Sequence, residues 1–510
     1  WLQMGWKFFH KRYKIVFSVD VEELDNYNYI FYDFETTGQN PCFDQAIRFA
    51  AIETNSNLEI LHVHNIDIKL RNDIIPHPRA LLVNRLSINE LQKGDNEYEA
   101  YQKIHKIFNK PDTISIGYNS LSFDDIFLRF GFYRNLLDPY SHQYSNKKGN
   151  NFRADLYNIL FAYYLYKNDS SISWPMINNR LSLRLEKINA VNSLYEGMSH
   201  DAEVDVYVTI ELAKKLKASD GKMWNYLMSN FVKSNDKANF QKLSSVTCIN
   251  NSLYKIGILI SNKLGLASNY CAPIIYLCNH KKFKDDIFVL RLDQYNFTNF
   301  TEDNFADKIE KGIIKKKFGE PNFILPFIDQ YLKPINPHLV SLAKENLDWI
   351  KHNPAAIQRL INKQLELEYE PLDNIDIDAS LYQKQWFSNE ENKMINDFHN
   401  QSNADKADYT NSLPDGRVKE LALRLIGRNY HDTMDNSISD DYDTYLNSIF
   451  YNKSLNVDYR GNLRAEPLDL LSQTKELLKK KELDIKDQEI LNSIKDFILL
   501  KTQTQQDLGF

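Results

Sequence analysis

Tyr29-Ile30-Phe31-Tyr32-Asp33-Phe34-Glu35 is a β-prone run that ends in two carboxylates and is stopped by Thr36-Thr37-Gly38. Side chains alternate faces along a strand, so Asp33 and Glu35 project from one side while Phe34 packs into the core on the other. Two neighbouring carboxylates repel each other and resist burial unless a cation neutralises them. Hard divalent cations such as Mg²⁺ supply that charge and prefer oxygen ligands. Taken alone, an Asp-x-Glu strand is more often ordinary structure than a metal site.

Further strand-like runs follow at 46–54, after a turn containing Pro41, and at 62–70 and 113–117. Within 96–108, Tyr98, Tyr101, Ile104 and Phe108 recur at helical intervals, and 124–132 opens another helix. Strands followed by helices in this order predict an α/β domain ending near Lys217, after a helical segment at 202–215. From about Asp220 to Glu368, short β-like runs (272–277, 287–292) alternate with Lys-rich turns such as His280-Lys281-Lys282 and Lys315-Lys316-Lys317. The stretch 365–380 is acidic, carries Pro371 and reads as an interdomain linker. After Leu381 helical spacing dominates, at 418–426 and 468–478, and predicts an all-helical third domain. The polar stretch 402–416 reads as a mobile loop. The expected division is an N-terminal extension at 1–28, an α/β domain at 29–217, a β-containing middle domain at 220–368, a linker at 369–380 and a helical domain at 381–510.

At 510 residues the chain exceeds a single ordinary core. Its 43% hydrophobic and 25% charged residues match a soluble globular protein. A formal net charge of -6 excludes a uniformly basic nucleic-acid coat, so any grip on DNA must come from local basic and aromatic patches. The 30 Tyr and 29 Phe suit stacking, although drift toward AT-rich codons explains them more simply. Cys42, Cys248, Cys271 and Cys278 form no C-x-x-C pair, which argues against a disulfide framework or zinc ribbon and fits a reducing cytoplasm. No apolar run approaches the ~20 residues of a membrane span. The basic, aromatic opening stretch lacks the apolar segment and cleavage site of a signal peptide and is set aside from fold reasoning.

Two more segments carry chemistry. Gly117-Tyr118-Asn119-Ser120-Leu121-Ser122-Phe123-Asp124-Asp125 is a strand end feeding a helix, where Asp124 by itself reads best as an N-cap. His200-Asp201-Ala202-Glu203-Val204-Asp205 opens a second helix, and by itself is an ordinary acidic first turn. In order, D-x-E, N-x-x-F-D and H-D-A-x-x-D on an α/β scaffold resemble the signature of the DEDDh 3′→5′ exonuclease superfamily. The resemblance extends to bacterial exonuclease I through 45–54, Phe132-Tyr133-Arg134-Asn135, Asp138-Pro139-Tyr140, Leu183-Arg184-Leu185-Glu186 and 200–207. It continues at Tyr382, Trp386-Phe387 and Arg428-Asn429-Tyr430, covering roughly residues 29 to 500.

The resemblance implies a ribonuclease H-like α/β exonuclease domain, a small SH3-like β-containing domain and an all-helical C-terminal domain, closing around single-stranded DNA. It implies two Mg²⁺ ions per active site, replaceable by Mn²⁺, held by Asp33, Glu35, Asp124 and Asp205. His200 would be the general base, since imidazole titrates near neutrality; Asp201 has no ligand role in the motif. Glu35 and Arg184 would hold the terminal nucleotide. Arg129 and Lys233 would hold backbone phosphates, and Tyr140 and Tyr144 would stack on bases, against the plain reading that such side chains pack or snorkel. The implied protein is a cytoplasmic monomer of DNA repair. Its partner would be the acidic C-terminal tail of the single-strand-binding protein, met near Lys167 and Tyr226. Lys167 stands where the family favours Arg, which weakens bidentate carboxylate recognition. A DEDDh exoribonuclease and an inactive single-stranded-DNA-binding scaffold remain the alternatives.

Overall fold

The computed structural model describes residues 24, 26–143, 145–146, 149–167, 171–249, 252–367, 372–383, 386–434, 436–451 and 456–503. The first unit is built on a five-stranded sheet in the order β3-β2-β1-β4-β5. Its strands are β1 (Asn28–Thr36), β2 (Ala46–Thr54), β3 (Ile60–Asp67), β4 (Thr113–Gly117) and β5 (Phe152–Asp155). β1–β2 and β2–β3 are antiparallel, whereas β1–β4 and β4–β5 are parallel. The helices are α1 (Pro78–Asn84), α2 (Glu97–Phe108), α3 (Asp124–Arg134), α4 (Leu156–Tyr166), α5 (Leu185–Asn192) and α6 (Ala202–Ser219). Strands β2 and β4 fall where the sequence places them, while β3 begins two residues before the expected 62.

The alternation along β1 separates two cores. Ile30, Tyr32 and Phe34 pack with Ala100, Ile104, Leu128 and Phe132 of α2 and α3. Tyr29 and Phe31 pack with Ile159 and Leu160 of α4 and Val206 and Ile210 of α6. The second core runs on into Ile258, Cys271 and Phe323 of the next unit, so the two units share apolar contacts.

That next unit begins with α7 (Gly221–Ser229) and α8 (Lys233–Gln241) and carries a six-stranded antiparallel sheet. Its strands are β6 (Ser245–Ile249), β7 (Ser252–Ile260), β8 (Cys271–Asn279), β9 (Asp286–Arg291), β10 (Ile313–Lys317) and β11 (Phe323–Pro326), the last paired with β7. Two helices unforeseen in the sequence, α9 (Pro337–His352) and α10 (Pro354–Glu366), cover it through Leu347, Ile350, Ile357 and Leu360.

The last unit consists of α11 (Asn389–Asn400), α12 (Lys406–Ser412), α13 (Arg417–Asn429), α14 (Asn436–Phe450), α15 (Pro467–Leu478) and α16 (Ile485–Gln503). Two expectations need correction here. The stretch read as a linker contains the turn Ile377–Tyr382, in which Asp378 and Ala379 are fully buried. Its acidity is pairing, not solvation, because Arg424 and Arg428 both reach Asp378. The stretch read as a mobile loop contains α12, anchored by buried Lys406, Ala407 and Thr410.

Candidate active site

Three element ends bring four carboxylates together. Asp33 and Glu35 occupy the end of β1, where a β-bulge between Glu35 and Thr36 interrupts pairing with β2 and re-aims the chain. Glu35 is buried and Asp33 half-buried. Asp124 is the first residue of α3 rather than its cap, and its Oδ1 accepts the Phe34 backbone N–H at 3.1 Å. That bond fixes the start of the helix against the strand. Asp205 sits in the first turn of α6, where the His200 charge and backbone act to lower its pKa.

Burial raises the pKa of all four; repulsion within the group adds to it at Asp33 and Glu35, and neighbouring acids outside the group add to it at Asp124 and Asp205. Asp33 is held well above the usual carboxylate range by burial, then by Asp124, Glu35 and Asp205. Burial pushes Glu35 up to about 8, with Asp205 and Asp124 adding to it and Arg48 opposing. Asp124 rises to about 7 by burial, against the opposing Phe34 hydrogen bond. Asp205 rises to about 6, again by burial, with His200 opposing. An oxygen-only donor set with excess buried negative charge is what a hard divalent cation neutralises. The donors therefore fit such an ion. Among the described residues no three His, Cys, Asp or Glu side chains already stand grouped as a cage.

His200 is exposed and adopts a left-handed backbone (φ 64°) in the turn entering α6. A non-glycine residue there costs on the order of 1 kcal/mol, so its neighbours must hold it. Asp201 supplies part of that hold as the N-cap of α6, accepting the N–H groups of Glu203 and Val204 at 3.1 and 3.4 Å. His200, Glu35, Thr36 and Phe123 line a cleft of about 940 Å³ whose far wall is the 458–464 segment.

The proposed DNA contacts divide. Arg129, Tyr140 and Lys233 line a second groove of about 490 Å³ between the first two units. Arg129 is already engaged: it pairs with Asp125 at 2.7 Å, donates to Gln143 at 3.2 Å and lies 5.6 Å from the Tyr140 ring centroid. Its Nε is buried without a hydrogen-bond partner. Lys233 pairs with Asp285 at 2.7 Å and stays half-exposed. Arg184 is exposed at the N-terminal boundary of α5 and lines neither the cleft nor this groove. Tyr144 lies outside the described residues. Of the expected partner contacts, Lys167 pairs with Asp220 at 3.3 Å, whereas Tyr226 is a core residue.

Two residues of this region, Arg153 and Asp155, escaped the sequence reading, and Trp386 entered it only as part of the resemblance. Trp386 packs its exposed ring on Tyr140, with centroids 4.9 Å apart; an aromatic pair in a polar stretch was the available signal. Arg153 bridges Asp125 at 2.6 Å and Glu320 at 3.4 Å, joining the first two units, and nothing local marks it. Asp155 is buried and accepts the N–H groups of Asn119 and Leu121 at 2.9 and 3.2 Å, holding the bend that leads to Asp124. An Asp immediately before an apolar helix was its signal.

Comparison with known proteins gives the following. A profile described as Exonuclease matches residues 30–213, and one described as Exonuclease I C-terminal domain matches residues 375–500. The chain is 33% identical to Exodeoxyribonuclease I of Buchnera aphidicola subsp. Baizongia pistaciae over 265 residues, 51% of this chain and about half (52%) of that protein. It is 30% identical to Exodeoxyribonuclease I of Buchnera aphidicola subsp. Acyrthosiphon pisum over 333 residues, 57% of this chain and 79% of that protein. Its fold matches the crystal structure of E. coli Exonuclease I in complex with a dA16 oligonucleotide, with a TM-score of 0.80 and 22% identity over 93% of this chain and 100% of the other.

Proposed function

The chain belongs to the exodeoxyribonuclease I family, and from that premise we propose that it hydrolyses single-stranded DNA from the 3′ end, releasing 5′-mononucleotides. The observation that carries this reading is the group of four carboxylates, Glu35 and Asp124 buried and Asp33 and Asp205 half-buried, all with raised pKa at the ends of β1, α3 and α6. Asp33, Glu35, Asp124 and Asp205 would hold two Mg²⁺ ions. Bound there, such ions supply the positive charge that acidifies water and stabilises a phosphoryl transition state.

The chain's own groups supply the rest. His200, exposed at the cleft mouth, takes a proton from the attacking water. The water oxygen bonds to phosphorus as the bond to the leaving 3′-oxygen breaks, and that oxygen acquires a proton. Glu35 faces the terminal nucleotide, and the family resemblance gives its phosphate to Arg184, exposed at the start of α5. Arg129 and Lys233 line the approach of the strand, and Tyr140 with Trp386 offers a stacking surface there. Arg129 must share its guanidinium between Asp125 and a phosphate, so it acts chiefly by positioning.

The wider setting is proposed on the family resemblance: a monomer acting in DNA repair in the cytoplasm. No described helix is long and apolar enough to cross a membrane. The acidic tail of a single-strand-binding protein would dock near Lys167, with Tyr226 packed in the core beneath.

The test is one oligonucleotide labelled at either end, as DNA and as RNA, with Mg²⁺ or with EDTA. Expected are metal-dependent release from the 3′ end of DNA, stalling at hairpins, and binding that weakens steeply with salt. First release of the 5′ nucleotide, equal digestion of blunt duplex, or preference for RNA would refute the reading. Tight binding without cleavage would leave a scaffold.

A further inference from the structure

We propose that the outer part of the 940 Å³ cleft is an exit port, which binds the released 5′-mononucleotide through Arg79, Arg460 and Arg464. The inference rests on the nuclease reading and adds a path for the product.

Of the four carboxylates, Glu35 lines the cleft and none lines the groove. The groove lined by Arg129, Tyr140 and Lys233 and the cleft lined by Glu35 and His200 have no lining residue in common. Helix α3 runs between them, with Asp124 at the cluster and Arg129 in the groove. A strand gripped in the groove blocks that side after each cut. The cleft is the remaining way out, and its volume is at the upper end of the about 300–1,000 Å³ usual for ligand pockets.

The far wall is built and fixed. The Asp458 side chain is buried and accepts the N–H groups of Arg460 and Asn462 at 2.7 and 2.9 Å and the Asn40 amide at 2.9 Å. Tyr459 stacks on Phe130, with centroids 5.3 Å apart. These contacts tie the 458–464 segment to the first unit.

The charges available on this wall are positive. Among the described arginines, only Arg79, Arg180, Arg184, Arg460 and Arg464 have no carboxylate at ion-pair distance, and three of these line the cleft. Arg464 donates to the Asp73 carbonyl at 3.1 Å and lies over the Phe43 ring, while its Nη2 is buried without a partner. The acids of the wall are committed elsewhere. Asp458 is satisfied as described, Asp44 accepts from the Asn40 N–H and Thr37 Oγ1, and Asp73 pairs with Arg71 and Arg428. A mononucleotide carries a phosphate dianion, which the strand gives up only on cleavage. Guanidinium groups ahead of the cluster draw it forward and vacate the site for the next nucleotide without loosening the strand.

The experiment is inhibition of oligo(dT) digestion by dTMP, in the wild type and in an Arg79→Ala/Arg460→Ala double variant. Both side chains are exposed and make no ion pair, so the fold is expected to hold. The inhibition constant for dTMP should rise about tenfold or more, on the scale of lost charged hydrogen bonds. Single-turnover excision with enzyme in excess, and binding of oligo(dT), should stay as in the wild type. An unchanged inhibition constant, a wild type that dTMP does not inhibit, or an equal loss of oligo(dT) binding overturns the port. If the wild type cleaves no DNA, the nuclease reading fails instead; calorimetric binding of dTMP to the wild type and the double variant then decides the port alone.

Discussion

Two buried groups of charges stand in this molecule under similar desolvation, with opposite outcomes. At the junction of the first unit and the helical unit, Arg71 pairs with Asp73 and Glu97, Arg134 with Glu97, and Arg428 with Asp73 and Asp378. Burial opposes ionisation of these acids, but the guanidinium groups more than reverse it and hold Asp73, Glu97 and Asp378 below the usual range. At the cluster of Asp33, Glu35, Asp124 and Asp205 burial and repulsion act together, and every pKa rises. The first group carries its own cations and is finished structure. The second lacks them, and such imbalance marks a place where an external cation is required.

The sharpest way to break this comparison is to remove one acid from the cluster. Asp33→Ala should abolish cleavage, a loss of several kcal/mol of transition-state stabilisation or about 10³-fold and more, while thermal stability holds or rises as repulsion is relieved. Robust activity in the purified variant would sink the metal assignment.

His200 separates base from ligand. His200→Ala should slow cleavage by roughly 10²–10⁴-fold, the usual contribution of a positioned general base, and leave Mn²⁺ affinity by calorimetry nearly unchanged. Lost metal binding would assign His200 to the ligands instead.

Asp378→Ala is the mirror experiment. Two buried arginines would lose a carboxylate, at a cost of about 3–5 kcal/mol, and the cleavage rate per folded molecule should remain. Denaturant unfolding that shows no destabilisation would mean that the junction is not the balanced network described.

The smallest effect is in pH. The cluster's folded pKa values lie above the unfolded ones, so the native state binds extra protons, and metal-free stability falls as pH rises from about 4 toward 8. The junction's acids are depressed, so their contribution is present above about pH 4 and lost only below it. Stability in EDTA should therefore decline from pH 5 to 8, and Mg²⁺ should restore more at pH 8 than at pH 5. An equal Mg²⁺ effect at both values would contradict the raised pKa values.

Much of the site was legible because its signals are local. Strand alternation puts Asp33 and Glu35 on one face whatever surrounds them, and the strand at 113–117 feeding a helix at 124 brings Asp124 to the same edge. Contacts implied by the resemblance carry less local information. Arg129, implied as a phosphate contact, is also held by Asp125, one turn back on the same helix. Tyr226, implied near a partner's tail, is packed in the core.

What the sequence determined by itself was the set of chemical groups and their order along strand ends and helix starts, because backbone periodicity needs no partner. Tertiary structure decided which buried charges are neutralised. Asp378 meets arginines 46 and 50 residues away and is quenched, while Glu35 meets acids from two distant helices. It also turned an apparent linker into a buried turn and lined the cleft with three arginines that have no carboxylate at ion-pair distance among the described residues. Pairing energy depends on distance and desolvation, and both exist only once remote segments have packed.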